Sequence, residues 1–311
     1  MKFIWLSVLL LIGSQNNLPD NLVVSHKGKT VANVNRVYFS NPLIDIPLID
    51  QENYNEFIKK LDKTIYQPPT NASLDKNGNI VAEKVGYKLD HEAFTGLFYT
   101  YFFNKGSSFV EAPMHTIYPN VDSELLSQIR VNQIGHYATY FNSNNKERSH
   151  NIVLASEAIN NHVVFPGETF SFNKVVGKRT REKGYKRAPV IVKGELSEDI
   201  GGGICQISST LYNAVDKAGL TITERYSHSK RVGYVPSGRD ATVSWYGPDF
   251  RFTNKYNQPI LIRSNVYGGT VRILVYSSDA INNEPRKIPS ASDKLPEEAS
   301  LGLEKKVPDP R

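Results

Sequence analysis

A single cysteine in 311 residues forbids an internal disulfide, and it equally forbids a Cys-rich zinc site or an iron–sulfur cluster, both of which take several thiolates. The seven histidines stand singly, without an HxxxH or HxH pair, so the sequence supports neither a metal centre nor any cofactor. Long hydrophobic runs are scarce as well. Outside the extreme N-terminus no window approaches the roughly 18 apolar residues of a membrane span, which excludes a polytopic membrane protein. What is present is 40% apolar and 22% charged residues, enough for two domains of ordinary size and at least one substantial core.

The net charge of +6 is unevenly spread. Residues 160–277 carry 17 Lys and Arg against 9 Asp and Glu, while the remainder is slightly acidic. The density peaks at Lys174, Lys178, Arg179, Arg181, Lys183, Lys186 and Arg187, a field that attracts a polyanion or a carboxylate-bearing substrate. No finger, basic zipper or RNA-recognition signature accompanies it, so nucleic acid is not the expected partner. At the N-terminus, Met1-Lys2 precedes the apolar run Phe3-Ile-Trp-Leu-Ser-Val-Leu-Leu-Leu-Ile-Gly13, the length of a signal-peptide core and short for a membrane span. The chain is therefore expected to be exported to the outer face of the membrane or the cell wall. It would touch the membrane only through that segment, left uncleaved. Outside the membrane the polyanions on offer are wall polymers and anionic lipid head groups.

Along the chain the expected organisation is a signal peptide or anchor over 1–15, linker and short strands over 16–50, an α+β module over 51–130, a second α+β domain over 131–277 and a disordered tail over 278–311. In the module, Tyr54, Phe57, Ile58 and Leu61 share one helical face. Asp75-Lys-Asn-Gly78 reads as a hairpin turn. A second helix pattern covers 90–103 and a strand 109–117. In the second domain a helix is expected over 149–160, and strands over 136–141, 169–172, 188–192, 220–226, 238–246, 249–254, 259–263 and 270–276. The fold class is α+β: a small helix and hairpin module, then a domain with an antiparallel sheet and a helix capped by a Gly-Gly-Gly-Ile-Cys loop.

That loop carries the chemistry. Gly201-Gly-Gly-Ile-Cys-Gln206 feeds a helix whose apolar stripe is Ile207, Leu211, Ala214, Val215 and Ala218, with Gly219 as its stop. Cys205 falls at the first turn, where free N–H groups and the helix dipole favour a thiolate. Gly201, Gly202, Gly203 and Gln206 form the surrounding loop, open to close approach of a substrate and to an oxyanion. A thiolate nucleophile needs a base and a group to orient it. His228, delivered by the strand after the helix, and Asp240, at the start of the next, supply both in the order shared by papain-like and transglutaminase-like enzymes. Asp249 is the rival third member, and a buried core thiol is the bland alternative for Cys205.

Residues 150–277 resemble a VanW domain. The resemblance rests on Phe165-Pro-Gly-Glu-Thr-Phe-Ser-Phe-Asn173, Val176-Gly-Lys-Arg-Thr180, Gly184-Tyr185, Gly201-Gly-Gly-Ile-Cys-Gln206, Ser209-Thr-Leu-Tyr-Asn-Ala214, Glu224-Arg225, His228 and Gly238-Arg-Asp-Ala-Thr242. The 53–117 module is similar to the peptidoglycan-binding-like domain that often precedes it. The resemblance implies L,D-transpeptidase-like acyl transfer on peptidoglycan stem peptides through a Cys205 thioester, in a family named from glycopeptide-resistance clusters. Arg179, Arg181 or Arg225 would hold stem carboxylates, and anionic wall polymers are further partners. Two other classes stay open: a cysteine amidase or peptidase of wall peptides, and a wall-binding protein without catalysis.

Overall fold

The computed structural model describes residues 20–40, 48–192, 195–292 and 295. The expected leader, the linker at 41–47 and most of the last nineteen residues lie outside them. The described chain falls into two compact units, one built from residues up to 71 and from 83 to 120, the other from 72 to 82 and from 121 onward.

The first unit opens with β1 (Asn21–His26), which pairs antiparallel with β2 (Lys29–Asn35), two strands within the stretch expected to hold linker and short strands. Its next element, α1 (Gln51–Ile65), starts where the Asp50 carboxylate accepts from the Glu52 and Asn53 amides. Helix α1 buries Tyr54, Phe57, Ile58, Leu61 and Ile65, the face the spacing predicts. The hairpin β3 (Ser73–Leu74) and β4 (Ile80–Val81) belongs to the second unit. Then come β5 (Gly86–Leu89) and α2 (His91–Phe103), the latter capped by Asp90. The strand expected over 109–117 is two strands, β6 (Ser108–Glu111) beside β1 and β7 (Met114–Ile117) beside β5. Between them stands Pro113, which has no N–H for a ladder. Phe39, Phe57, Phe94 and Phe98 fill the centre of this unit.

The second unit continues with α3 (Ser123–Ile129), β8 (Asn132–Tyr140), α4 (Lys146–Ile159), β9 (His162–Val164), β10 (Thr169–Ser171) and α5 (Phe172–Val176). After the β11 (Arg187–Val192) and β12 (Glu195–Ile200) hairpin come α6 (Ile204–Lys217), β13 (Thr221–Glu224), β14 (Arg251–Thr253), β15 (Ile260–Tyr267) and β16 (Thr270–Ser277). The main sheet is antiparallel in the order β8-β16-β15-β9, and β10-β14-β13 form a second. Helix α6 packs on β8 and β16, and α4 on β15. The helix lies close enough to the sheet that a Cβ at Gly135 of β8 would overlap the Ala214 carbonyl oxygen.

Two expectations are corrected here. Residues 238–246 form no strand; they run alongside α6. Residues 278–292 are not a loose tail. Ile281, Ile288 and Ala291 pack on the core of this unit, and the Tyr137 hydroxyl donates to the Pro289 carbonyl at 3.0 Å. Arg286 donates to Asp216 at 2.7 Å and to the carbonyls of Gly219 and Leu220. A Pro-, Ser- and Lys-rich composition suggested disorder, but a guanidinium aimed at orphan carbonyls past a helix C-terminus gives the segment a reason to stay.

Candidate active site

The site is assembled around the first turn of α6. Gly203, the N-cap, has φ +103, a left-handed conformation that turns the chain into the helix and leaves Cys205 as its second residue. The Cys205 N–H, one of the orphan donors of the first turn, has no acceptor among the described residues. Cys205 is intermediate in exposure. Its sulfur lies 3.5 Å from the Val243 carbonyl oxygen and 3.7 Å from the Thr242 hydroxyl.

His228 follows β13 in an irregular segment, and Asp240 sits in another. One carboxylate oxygen of Asp240, Oδ2, accepts from the His228 backbone N–H at 2.6 Å and from Nδ1 at 2.7 Å. This pair of bonds sets the ring's tautomer and turn and leaves Nε2 as the nitrogen that Asp240 does not engage, and the Cys205 thiol is close enough for the two groups to shift each other's pKa. Both side chains are nearly buried, at 7% and 10% exposure. Burial alone would push the Cys205 thiol up, but the hydrogen bond and charge of His228 outweigh it, and the thiol pKa lies below its ordinary value. Burial would likewise lower His228, yet Asp240 on one side and Cys205 on the other raise it to about 9. Both shifts run in the direction of the charged pair, thiolate beside imidazolium, each group's charge supporting the other's. The Asp240 carboxyl is held below its usual range, burial again being outweighed by the two bonds to His228.

Helix α6 holds the 239–243 segment through polar side chains that would otherwise be misplaced in its buried face. Ser208 Oγ donates to the Ala241 carbonyl at 2.6 Å, and Ser209 Oγ accepts from the Ala241 N–H at 2.9 Å. Asn213 donates to the Arg239 carbonyl and accepts from Arg239 Nε, while Asp216 takes Arg239 Nη2 at 2.7 Å. The Tyr212 ring lies under both Arg225 and Arg239. These bonds replace a strand ladder, and they carry Asp240, Thr242 and Val243 past Cys205.

Of the remaining expected residues, Arg179 is near the thiol. Its Nη1 donates to Asn173 at 2.7 Å and its guanidinium sits over the Phe172 ring. Its Nη2 is buried without a partner among the described residues. Burial pulls the Arg179 pKa down while the negative charge of Cys205 pushes it up. Gly201 packs on the stem of Arg179.

The others go elsewhere. A Cβ at Gly202 would overlap the Ala188 carbonyl and one at Gly203 would press on Arg148, so both positions make room for protein and not for substrate. Gln206 is fully buried: its amide donates to Thr139 and the Tyr140 carbonyl and accepts from Arg148. Arg225 donates to the Asp240 and Gly238 carbonyls and to the Ser227 hydroxyl, closing the 227–240 loop. All three bonds come from Nη1, and through that nitrogen Arg225 holds the loop that carries Asp240. Asp249 is engaged by Ser171, Asn173, Phe250 and Arg251, which ties β10 to β14 and takes it away from His228. Sequence reasoning missed Ser208, Ser209, Asn213, Asp216 and Arg239. The available signal was a polar set at helical spacing from Cys205 on a helix otherwise destined for the core. It also missed Tyr234, near Ser209, whose pKa is raised by burial and by the neighbouring Cys205 charge. Among the described residues no three His, Cys, Asp or Glu side chains converge as a metal site would require, and no helix is long and apolar enough to cross a membrane.

Comparison with known proteins places this geometry in context. The family model described as "VanW like protein" matches residues 147–276, and the one described as "Putative peptidoglycan binding domain" matches residues 46–110. The chain is 59% identical over 290 residues to the "Uncharacterized protein YoaR" of Bacillus subtilis (strain 168), covering 93% of this chain and 96% of that protein. It is 33% identical over 109 residues to the "Vancomycin B-type resistance protein VanW" of Enterococcus faecalis (strain ATCC 700802 / V583), covering 33% of this chain and 40% of that protein. No solved structure matches significantly. The matched VanW segment contains the whole Cys205, His228 and Asp240 constellation, and with a peptidoglycan-binding-like domain ahead of it the chain belongs to the VanW family of cell-wall-associated proteins.

Proposed function

We propose that the protein is an exported cysteine acyltransferase of peptidoglycan stem peptides, L,D-transpeptidase-like in chemistry. The observation that carries the reading is the relay from Asp240 through His228 to a helix-terminal Cys205, with 2.7 Å between the carboxylate and Nδ1. Cys205 thiolate attacks the carbonyl of the third, diamino-acid residue of a tetrapeptide stem. The S–C bond forms and the carbonyl electrons move to oxygen, where the Cys205 N–H and Arg179 Nη2 are the donors at hand. As the intermediate collapses the C–N bond breaks, and His228 passes its Nε2 proton to the departing amine of D-Ala. A side-chain amine of a second stem then attacks the thioester, gives a proton to His228 and restores the thiolate. The product is a 3→3 cross-link, and the sum is an exchange of one amide for another.

In this reading the first unit holds wall polymer and the second does the chemistry. The basic surface over 160–277 supports a polyanionic or carboxylate-rich surrounding. The test is muropeptide analysis after incubation of the purified protein with tetrapeptide-bearing peptidoglycan. Cross-linked dimers and free D-Ala from wild type, both absent with Cys205→Ala, are the expected result. Release of D-Ala without dimers would move the reading to a peptidase. Neither product, with sacculus binding intact in both proteins, would leave a wall-binding protein.

A further inference from the structure

Ser244-Trp-Tyr-Gly-Pro248 turns sharply just after Val243, the residue whose carbonyl oxygen lies 3.5 Å from the Cys205 sulfur. The Ser244 N–H closes the turn by donating to the Pro248 carbonyl at 2.9 Å. Asn173 holds it from outside. Its side-chain amide donates to the Ser244 and Pro248 carbonyls at 2.9 and 3.1 Å, and its oxygen accepts from Arg179 Nη1 at 2.7 Å. One asparagine therefore joins the turn to the arginine beside the thiol. At the tip stand Trp245 and Tyr246, 41% and 85% exposed. Lys178, the chain neighbour of Arg179, places its ammonium 5.2 Å from the centre of the Tyr246 ring. Turn tips ordinarily take small polar residues, and a ring this exposed buries little area, so neither turn chemistry nor packing accounts for the pair. Two aromatic faces with a cation at their edge suit a ligand that is apolar on one side and hydroxylated at its rim. A pyranose is such a ligand: its C–H bonds gather on one face, which the negative face of an aromatic ring attracts, and its hydroxyls accept from an ammonium.

The place of the turn says which sugar. In the reading proposed above, on which this inference rests, the reacting carbonyl belongs to the third stem residue. Three residues, roughly 10 Å of chain, then separate it from the sugar that bears the stem. Trp245 and Tyr246 follow Val243 by two and three residues, a comparable reach from the sulfur. We infer that Trp245 and Tyr246, with Lys178, form a subsite for the glycan ring that carries the donor stem. The second unit would then read sugar on its own account, apart from any polymer held by the first, and would prefer a glycan-borne stem to a free peptide.

The two tryptophans are Trp5 and Trp245, so in the full chain carrying Trp5→Phe the emission reports on Trp245 alone. Titration with a peptide-free tetrasaccharide of wall glycan should shift that emission saturably. Tyr246→Ala should weaken the apparent affinity by about tenfold, the loss of one stacked ring, while the iodoacetamide alkylation rate of Cys205 stays unchanged. A second arm compares initial rates of D-Ala release from a disaccharide tetrapeptide and from the free tetrapeptide. The unsubstituted protein is expected to favour the sugar-bearing donor by at least about tenfold, and the Trp245→Ala, Tyr246→Ala double variant to lose most of that preference through KM. Emission that ignores the glycan, or equal use of the two donors, would overturn the subsite and leave the thiol chemistry standing. An equal shift with the free tetrapeptide would overturn it too, as a peptide contact. A saturable glycan shift with no D-Ala from either donor would support the sugar contact and remove the acyl-transfer reading. Neither shift nor release would remove both.

Discussion

At residue 205 a sulfur atom is asked to be anionic in surroundings that disfavour charge, and His228 resolves the conflict. Replacing His228 by Ala removes the counterion and keeps the burial, so the thiol rises toward and beyond its ordinary value. Alkylation of Cys205 by iodoacetamide at neutral pH should then slow by at least about tenfold, because each pKa unit is a factor of ten in thiolate. A rate-versus-pH series on the two proteins checks this, and an unchanged profile would break the pairing. The same groups set the pH dependence of stability. His228 rises from 6.5 to about 9 in the native protein, so its contribution is complete below 6.5 and fades as pH climbs through about 9. Asp240 is lowered from 3.8, so its contribution is present above 3.8 and is lost as pH falls through its native value. Asp240→Asn removes the second effect and weakens the first, since Cys205 still raises His228, and should flatten the denaturation midpoint at the acid end and reduce its fall at the alkaline end. The chemical identities of Cys205, His228 and Asp240 were legible because thiol, imidazole and carboxylate have few common uses in that order. The roles of Gly202, Gly203, Gln206 and Arg225 were not. A glycine that admits a substrate and one that admits a neighbouring carbonyl are the same letter, and only the presence of the Ala188 oxygen tells them apart.

Among the elements, helices were the most legible, since 3.6-residue spacing of large apolar side chains is hard to mistake: α1, α2 and the start of α6 fall where periodicity puts them. The strand expected over 238–246 failed for an instructive reason. Ala241 and Val243 are buried with the polar Thr242 between them, which is the alternation of a strand, but the partner is a helix. The backbone groups are satisfied by Ser208, Ser209 and Asn213 side chains, and no strand-pattern rule anticipates acceptors and donors supplied from a helix face. Asn213→Ala should therefore destabilise by about 1–3 kcal/mol, as it strands the part-buried Arg239 carbonyl and loosens the segment that carries Asp240. Denaturant titration gives the energy. The alkylation profile of Cys205 should shift to higher pH in the same variant, and an unshifted profile would show that the segment does not depend on α6. At the opposite face of the helix, Gly135→Ala should cost about 1–3 kcal/mol by overpacking against Ala214. A neutral result would mean that α6 can lift from β8 without penalty.

For the molecule as a whole, composition and patterning conveyed the α+β class but not the boundaries. The 73–81 hairpin was assigned to the wrong module because its apolar partners, among them Leu126 and Leu261, are far away in sequence. The chain past Ser277 was misjudged for a related reason: its stabilising contacts are few, long-range and partly polar. Arg286 brings a second cation to Asp216, whose other oxygen already holds Arg239, the residue next to Asp240. The two guanidiniums thus share one carboxylate at the C-terminal end of the helix whose N-terminal end carries Cys205. Ending the chain at Ser277 would take away Arg286 and the apolar cover of Ile281, Ile288 and Ala291, while Arg239 keeps its bond to Asp216. The shortened protein should unfold at a clearly lower denaturant midpoint, and Arg286→Ala alone should account for about 1–3 kcal/mol of that loss, since it removes the bonds to Asp216 and to the Gly219 and Leu220 carbonyls. The alkylation profile of Cys205 should nonetheless keep its position in both, because the Arg239 anchor survives. A shortened chain as stable as the whole would mean that residues 278–292 contribute nothing, and a displaced thiol profile would mean that the far end of α6 reaches the site by more than Arg239.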